Sequence, residues 1–171
     1  MEIKKANMES LDILLEIIKL AVADMHEQGV YQWDHTYPSK DIISDDIREE
    51  NLYMYVDENI IKGFIVLNEY QDKEYEKVQW KCTQGKQLIV HRLCVGPKYK
   101  GKGIATRLIE YADIYGRDNN YSSIRLDTFI DNKRARRLYE KEGYNMVGEL
   151  NFRLGTFCCF EKPIERVTTY I

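Results

Sequence analysis

Residues 88–106, LIVHRLCVGPKYKGKGIAT, constrain this chain more than any other stretch: an apolar strand runs into a loop of alternating cations and glycines, and a helix opens directly after it. A helix start leaves several backbone N–H groups without an intrahelical partner, and Gly101 and Gly103 let the chain bring those donors close to one bound oxyanion. Lys98, Lys100, Lys102 and Arg107 add four positive charges with no acid between Lys98 and Arg107. The chain as a whole has a formal net charge of −3, so this is a local patch rather than a reflection of bulk composition. The loop reads as a phosphate cradle.

Two kinds of phosphate loop have this look. Residues 96–103, GPKYKGKG, match seven of the eight positions of a P-loop, but the eighth should be Ser or Thr to place a hydroxyl on magnesium, and Gly103 has none. The other kind reads Arg or Gln, two residues, Gly, one residue, then Gly or Ala; residues 98–103, KYKGKG, follow it with Lys98 in the first place. Lysine there keeps the charge and loses a planar fork or amide. A second segment decides between them. Residues 124–143, IRLDTFIDNKRARRLYEKEG, read as strand, turn and helix, with Asn132, Ala135, Leu138, Tyr139, Gly143 and Tyr144 in a recognisable spacing. Over residues 88–148 the sequence resembles the GNAT family of N-acetyltransferases, whose diphosphate loop and closing Asn, Ala, Leu-Tyr and Gly-aromatic residues these are.

That resemblance implies an α/β (α+β) fold, with a mixed, mostly antiparallel central sheet of about seven strands, helices on both faces and a splayed strand pair. It also implies acetyl-coenzyme A as cosubstrate, with no metal. The diphosphate would lie on Lys100, Gly101, Lys102, Gly103, Ile104, Ala105 and Thr106. The pantetheine arm would pair with strand backbone near Leu93 and Val95, and Asn132 would anchor it. The backbone between Leu93 and Val95 would polarise the thioester carbonyl, and Tyr139 would be the general acid at sulfur. Lys133, Arg134, Arg136 and Arg137 would lie on the side of the ribose phosphate, or form a solvated helix face.

For the base, His91 titrates in the useful range and, by strand alternation, shares a face with Leu93 and Val95. Glu69 and other carboxylates acting through water are the alternatives. Cys94, by the same alternation, faces away from His91, which favours direct transfer over an acetylated cysteine. The aromatic loop carrying Tyr31, Trp33, His35 and Tyr37 stands where the family places its acceptor wall, so Trp33 and Tyr31 are the substrate-binding candidates. The acceptor is a small-molecule or peptide amine. Neither nucleic acid nor membrane is an expected partner, and a homodimer stays open. A nucleotide triphosphatase and a non-catalytic acyl-coenzyme A binding module are the rival readings.

At 171 residues the chain fits one N-acetyltransferase domain spanning 1–171, with a single core. Cys82, Cys94, Cys158 and Cys159 show no metal-ligand spacing, and adjacent Cys158 and Cys159 point to opposite faces of a strand. The N-terminus MEIKKANMES has no signal-peptide core, and residues 11–25 are interrupted by four charged side chains. A cytoplasmic protein is expected.

Residues 1–5 read as a short strand, and Asn7 as cap of a helix ending near Gly29. A shorter helix starts at Pro38-Ser39, with Ile42, Ile43 and Ile47 inward and Asp41, Asp45, Asp46, Glu49 and Glu50 mostly outward. Strands 52–56 and 60–68 form a hairpin, and 71–85 is a long connection with some strand extension. Strand 88–95, helix 104–117, strand 122–128, helix 132–142 and strands 144–150 and 156–162 complete the order.

Overall fold

A computed structural model describes residues 1–165, and these form a seven-stranded sheet in the order β1-β2-β3-β4-β5-β7-β6. The strands are β1 (Glu2–Lys5), β2 (Leu52–Asp57), β3 (Ile60–Asn68), β4 (Gln87–Val95), β5 (Ser123–Phe129), β6 (Asn145–Phe152) and β7 (Gly155–Pro163). The helices are α1 (Leu11–Glu27), α2 (Lys40–Arg48), α3 (Ile104–Asp118) and α4 (Lys133–Lys141). Only β4 and β5 run parallel; every other neighbouring pair is antiparallel.

Local chemistry explains most boundaries. The β2–β3 turn has Glu58 and Asn59 at φ 52° and 60°, the double positive φ that lets a two-residue hairpin follow strand twist. Ser39 caps α2 by accepting from the Ile42 amide at 3.3 Å. All four helices close with a left-handed residue and two reaching-back amides: in α1, Gly29 N–H bonds His26 O at 3.0 Å and Val30 N–H bonds Met25 O at 2.9 Å. At α2 and α3 the left-handed position is taken by Glu50 and Asn120, so glycine is preferred there but not required.

Two expectations change. Asn7 precedes a 3₁₀ turn at Met8–Ser10 and makes no side-chain cap; its Oδ1 instead accepts from Ser10 Oγ, and α1 begins at Leu11. The stretch before β4 holds a 3₁₀ turn, Lys73–Lys77, and no strand. Its Tyr75 and Val78 cover Ile89 and Cys159 on the sheet, which is why a polar segment carries buried aromatic and aliphatic side chains.

Helices α3 and α4 pack on one face, where Leu88, Val90, Leu108, Ile109, Ile124, Leu126, Tyr139 and Phe160 form a core. Helices α1 and α2 cover the other, over Leu14, Ile18, Ile43, Ile47, Phe64, Val66 and Cys94. Cys158 and Cys159 do fall on opposite faces, and all four cysteines are free thiols. No described helix is long and apolar enough to cross a membrane.

The sheet opens at its one parallel pair. Hydrogen-bonded pairing of β4 with β5 runs from Gln87–Ser123 to Val90–Leu126 and stops, although β4 continues to Val95 and β5 to Phe129. Beyond that point the edge of β4 turned toward β5 has no partner strand, so its backbone groups are open to another donor or acceptor.

Candidate active site

Two cavities meet at this opening. One, of about 310 Å³, is lined by Leu93, Cys94 and Val95 of β4, the loop residues Tyr99, Lys100, Gly101 and Gly103, the first turn of α3, and Thr128, Asn132, Arg134 and Tyr139. The other, of about 790 Å³, lies on the α1/α2 side and is lined by Tyr37, Asp46, Glu49, Asn68, Tyr70, Asp72, Tyr75, His91, Arg92 and Asp127, among others. Gln32 and Trp33 line both.

The loop into α3 forms a donor array. A 3₁₀ turn uses the Tyr99 and Lys100 amides, which bond Gly96 O at 2.8 Å and Pro97 O at 3.3 Å. The next backbone bond is Arg107 N–H to Gly103 O at 3.1 Å. Among the described residues, the amides from Gly101 to Thr106 therefore have no backbone or side-chain acceptor. Gly101 and Gly103 stand at φ 78° and 75°, in the left-handed region, and this alternation curves successive N–H groups into one concavity at a helix start. An anion bearing several oxygens fits it; a metal ion does not.

The run of unpaired amides thus starts at Gly101, one residue after Lys100, which still lines the cavity. Lys100 spends its amide on the turn and its ammonium on Asp24 of α1. Arg107 donates to Tyr55 Oη at 2.9 Å. Two of the four cations at this loop are thus tied into the fold, and they brace α1 and β2 against it. Lys98 and Lys102 are exposed, and Lys102 lies over the Tyr99 ring. Neither side chain lines the cavity, so the backbone, more than the lysines, builds the site.

Asn132 caps α4, its Oδ1 accepting from Ala135 N–H at 3.1 Å, while its Nδ2 donates to Gln32 Oε1 at 3.0 Å. The same Gln32 oxygen accepts from Thr128 Oγ1 at 3.0 Å. Gln32 thereby pins the aromatic loop to the open ends of β5 and α4, a role with no sequence signal because its partners lie about a hundred residues away. Tyr139 is buried against Tyr144 and Phe160, with ring centroids 6.2 and 5.7 Å away. Its hydroxyl enters no hydrogen bond, yet no buried side-chain nitrogen or oxygen among the described residues lacks a partner. The phenol tip therefore opens into the cavity it lines. Burial, and next the charge of Asp127, push its pKa well above that of a free tyrosine, so it stays protonated at neutral pH.

His91 is not where alternation put it. Pairing runs Ile65–Leu93 and then Leu67–Val90, so His91 and Arg92 together oppose Val66 as a β-bulge. The extra residue turns both side chains to the α1/α2 side, into the larger cavity, while Leu93 and Val95 return to the core under α3. The same bulge leaves Cys94 on the α1/α2 side rather than facing away from His91. Burial pushes the Cys94 thiol to about 12, far from a thiolate at neutral pH. His91 Nε2 lies 2.7 Å from Asn68 Oδ1, which also accepts from the Tyr70 amide. That second bond fixes the amide's orientation and makes Nε2 the protonated nitrogen. Burial, then the charge of Arg92, lower the His91 pKa to about 4.

Arg92 itself grips Asp46 through Nε and Nη2 at 2.8 and 2.6 Å, and its Nη1 donates to Tyr37 Oη at 3.1 Å. Asp46 is therefore an inward residue of α2, not part of its solvated face. Trp33 is buried and lines both cavities; Tyr31 is exposed against the His26 ring and lines neither. Glu69 is engaged by Lys86 and Tyr121, away from both cavities. Of the basic run on α4, only Arg134 lines the smaller cavity.

Comparison with known proteins agrees with this geometry. Residues 16–144 match the family model described as the acetyltransferase (GNAT) family. A streptothricin acetyltransferase of Escherichia coli is 27% identical over 147 residues, covering 82% of this chain and 76% of that protein. The fold superposes on a GNAT acetyltransferase of Streptococcus agalactiae with TM-score 0.86 at 20% identity, over 96% of each chain. It also superposes on the PaiA N-acetyltransferase of Thermoplasma acidophilum, solved in complex with coenzyme A, with TM-score 0.73 at 19% identity over 95% and 98% of the two chains.

Proposed function

Given that the chain belongs to the acetyltransferase (GNAT) family, we propose that it transfers an acetyl group from acetyl-coenzyme A to a primary amine by direct attack, with both substrates bound together. The observation that carries this reading is the run of six unpaired amides, Gly101 to Thr106, at the mouth of a cavity that reaches the parted edge of β4.

These amides would hold the diphosphate, and Leu93 and Val95 would offer backbone partners to the arm's two amides. Asn132, fixed by Gln32, borders the same channel. Acetyl-coenzyme A supplies the activated thioester. The backbone of β4 past the bulge is placed to polarise its carbonyl, and Tyr139, protonated and open to the cavity, donates to the departing sulfur. The larger cavity reaches the same opening from the other face, so the amine would enter there, between Trp33, Tyr37 and Tyr70. His91 borders that path. Being neutral at physiological pH, it can accept a hydrogen bond from an incoming amine without repelling it.

Turnover of acetyl-coenzyme A against alkylamines, aminoglycosides, polyamines and peptide N-termini tests the reading, with Tyr139→Phe as control. The variant should lose about 10²-fold or more in kcat while its coenzyme Kd, by calorimetry, stays within twofold. No turnover by the parent with any amine, despite tight coenzyme binding, would instead favour a binding module.

A further inference from the structure

Strands β4 and β5 part after the Val90–Leu126 pair, so His91 and Asp127 are the first residues on either side of the opening. Both line the larger cavity. Asp127 Oδ2 accepts from Tyr75 Oη at 2.6 Å, and no cation pairs with it among the described residues. Asp46, in the same cavity, is occupied by Arg92. Tyr75 is itself immobilised: its ring packs 5.0 Å from Trp80, whose Nε1 donates to the Tyr75 carbonyl at 2.8 Å. The carboxylate thus satisfies the buried Tyr75 phenol with one oxygen and keeps the other free beside the strand opening.

Resting on the reading above, we propose that Asp127 is a catalytic residue that binds the acceptor's ammonium and takes the protons its nitrogen releases, with Tyr75 a positioning residue that aims the carboxylate. The nitrogen forms a C–N bond to the thioester carbonyl carbon as the C–S bond breaks. Of the two protons an alkylammonium sheds, Asp127 takes both in turn. The first leaves for water through the cavity, and the second replaces, by way of water, the one Tyr139 gives to sulfur. The sum is ammonium plus acetyl thioester giving amide, thiol and one proton.

Asp127 suits this task better than His91. The histidine's Nε2–H is committed to Asn68, and a group titrating near 4 holds a proton poorly at neutral pH. Burial raises the Asp127 carboxyl to about 6, against the opposing bond from Tyr75. That value lies close to the pH at which it would work. The groups facing it are Asp72 and Tyr75 from the covering turn, Cys159 opposite on β7, Tyr139 from α4, and His91 and Arg92 from β4.

The test uses the full chain, Asp127→Asn and Tyr75→Phe, with n-butylammonium as probe. Binding is measured by calorimetry with and without coenzyme A, and kcat/KM as a function of pH on the best amine of the acceptor screen. Asparagine can still accept from Tyr75, so the fold should hold and coenzyme affinity stay unchanged. Butylammonium binding should weaken at least about tenfold, and kcat/KM fall by about 10²- to 10⁴-fold. The acid limb of the parent's profile, near pH 6, should vanish in Asp127→Asn. It should move to higher pH in Tyr75→Phe, where the bond favouring the carboxylate is gone. Butylammonium binding within twofold of the parent, or an acid limb that survives Asp127→Asn and disappears in His91→Gln, overturns the proposal. If the parent binds no coenzyme, the acetyl-transfer reading fails instead, and the ammonium measurement without coenzyme still decides Asp127.

Discussion

Removing Asp46 should be among the most damaging single changes available outside the apolar core. Its carboxylate and the Arg92 guanidinium are joined by two bonds, with side chains only 7% and 9% exposed. Asp46→Leu leaves Arg92 charged, buried and held only by Tyr37 Oη at 3.1 Å. An uncompensated charge of this kind costs about 3–5 kcal/mol, which for a chain of this size lowers the melting temperature by about 10 °C. Arg92→Met should cost a similar amount by stranding the carboxylate. The double variant should recover most of the loss, because two well-packed apolar side chains need no solvation. Urea unfolding of parent, singles and double gives the coupling energy directly, provided the m-values agree. If Asp46→Leu costs less than about 1 kcal/mol, as an exposed pair would, or if the double variant costs the sum of the singles, the pair is not buried in the sense argued. The bulge assignment of Arg92 then falls with it.

Gly103→Ala separates the cradle from the fold. An added Cβ meets nothing within 4 Å, so the strain lies in the left-handed backbone alone, about 1–2 kcal/mol at most; relaxing that strain turns the amides away, and coenzyme affinity should drop at least about tenfold, whereas unchanged affinity by calorimetry would remove the cradle. Asp127 gives a pH signature that needs no activity. Its carboxyl titrates near 3.8 when exposed and at about 6 in the fold, so a folded-state pKa raised in this way favours the fold below 3.8 and takes stability from it as pH rises through 6, by about 3 kcal/mol in all. Asp127→Asn should therefore exceed the parent in urea midpoint at pH 8 and match it near pH 3.5; equal midpoints at both would contradict the burial argument.

What the sequence determined by itself was local. Strand, glycine-cation loop and helix start form one continuous segment, and the positive φ of Gly101 and Gly103 together with the unpaired amides of α3 follow from backbone chemistry within a few residues. Asn132 as the α4 cap and Tyr139 two turns later are legible for the same reason, as is the order of strands and helices. The bulge at His91–Arg92 was not legible, because whether one extra residue fits between Val90 and Leu93 is decided by the register of β3 alongside. That single residue reversed the face of His91 and moved the basic candidate to the other cavity. The ion pairs Arg92–Asp46 and Lys100–Asp24, and the Tyr75–Asp127 bond, join positions 46, 76 and 52 residues apart. In the sequence these are ordinary surface charges and a tyrosine in a polar connection. Only the packing of α1, α2 and the covering turn onto the sheet removes them from water, and it is that removal, more than the identity of the side chains, that sets their pairing, their proton affinity and their access to the opening between β4 and β5.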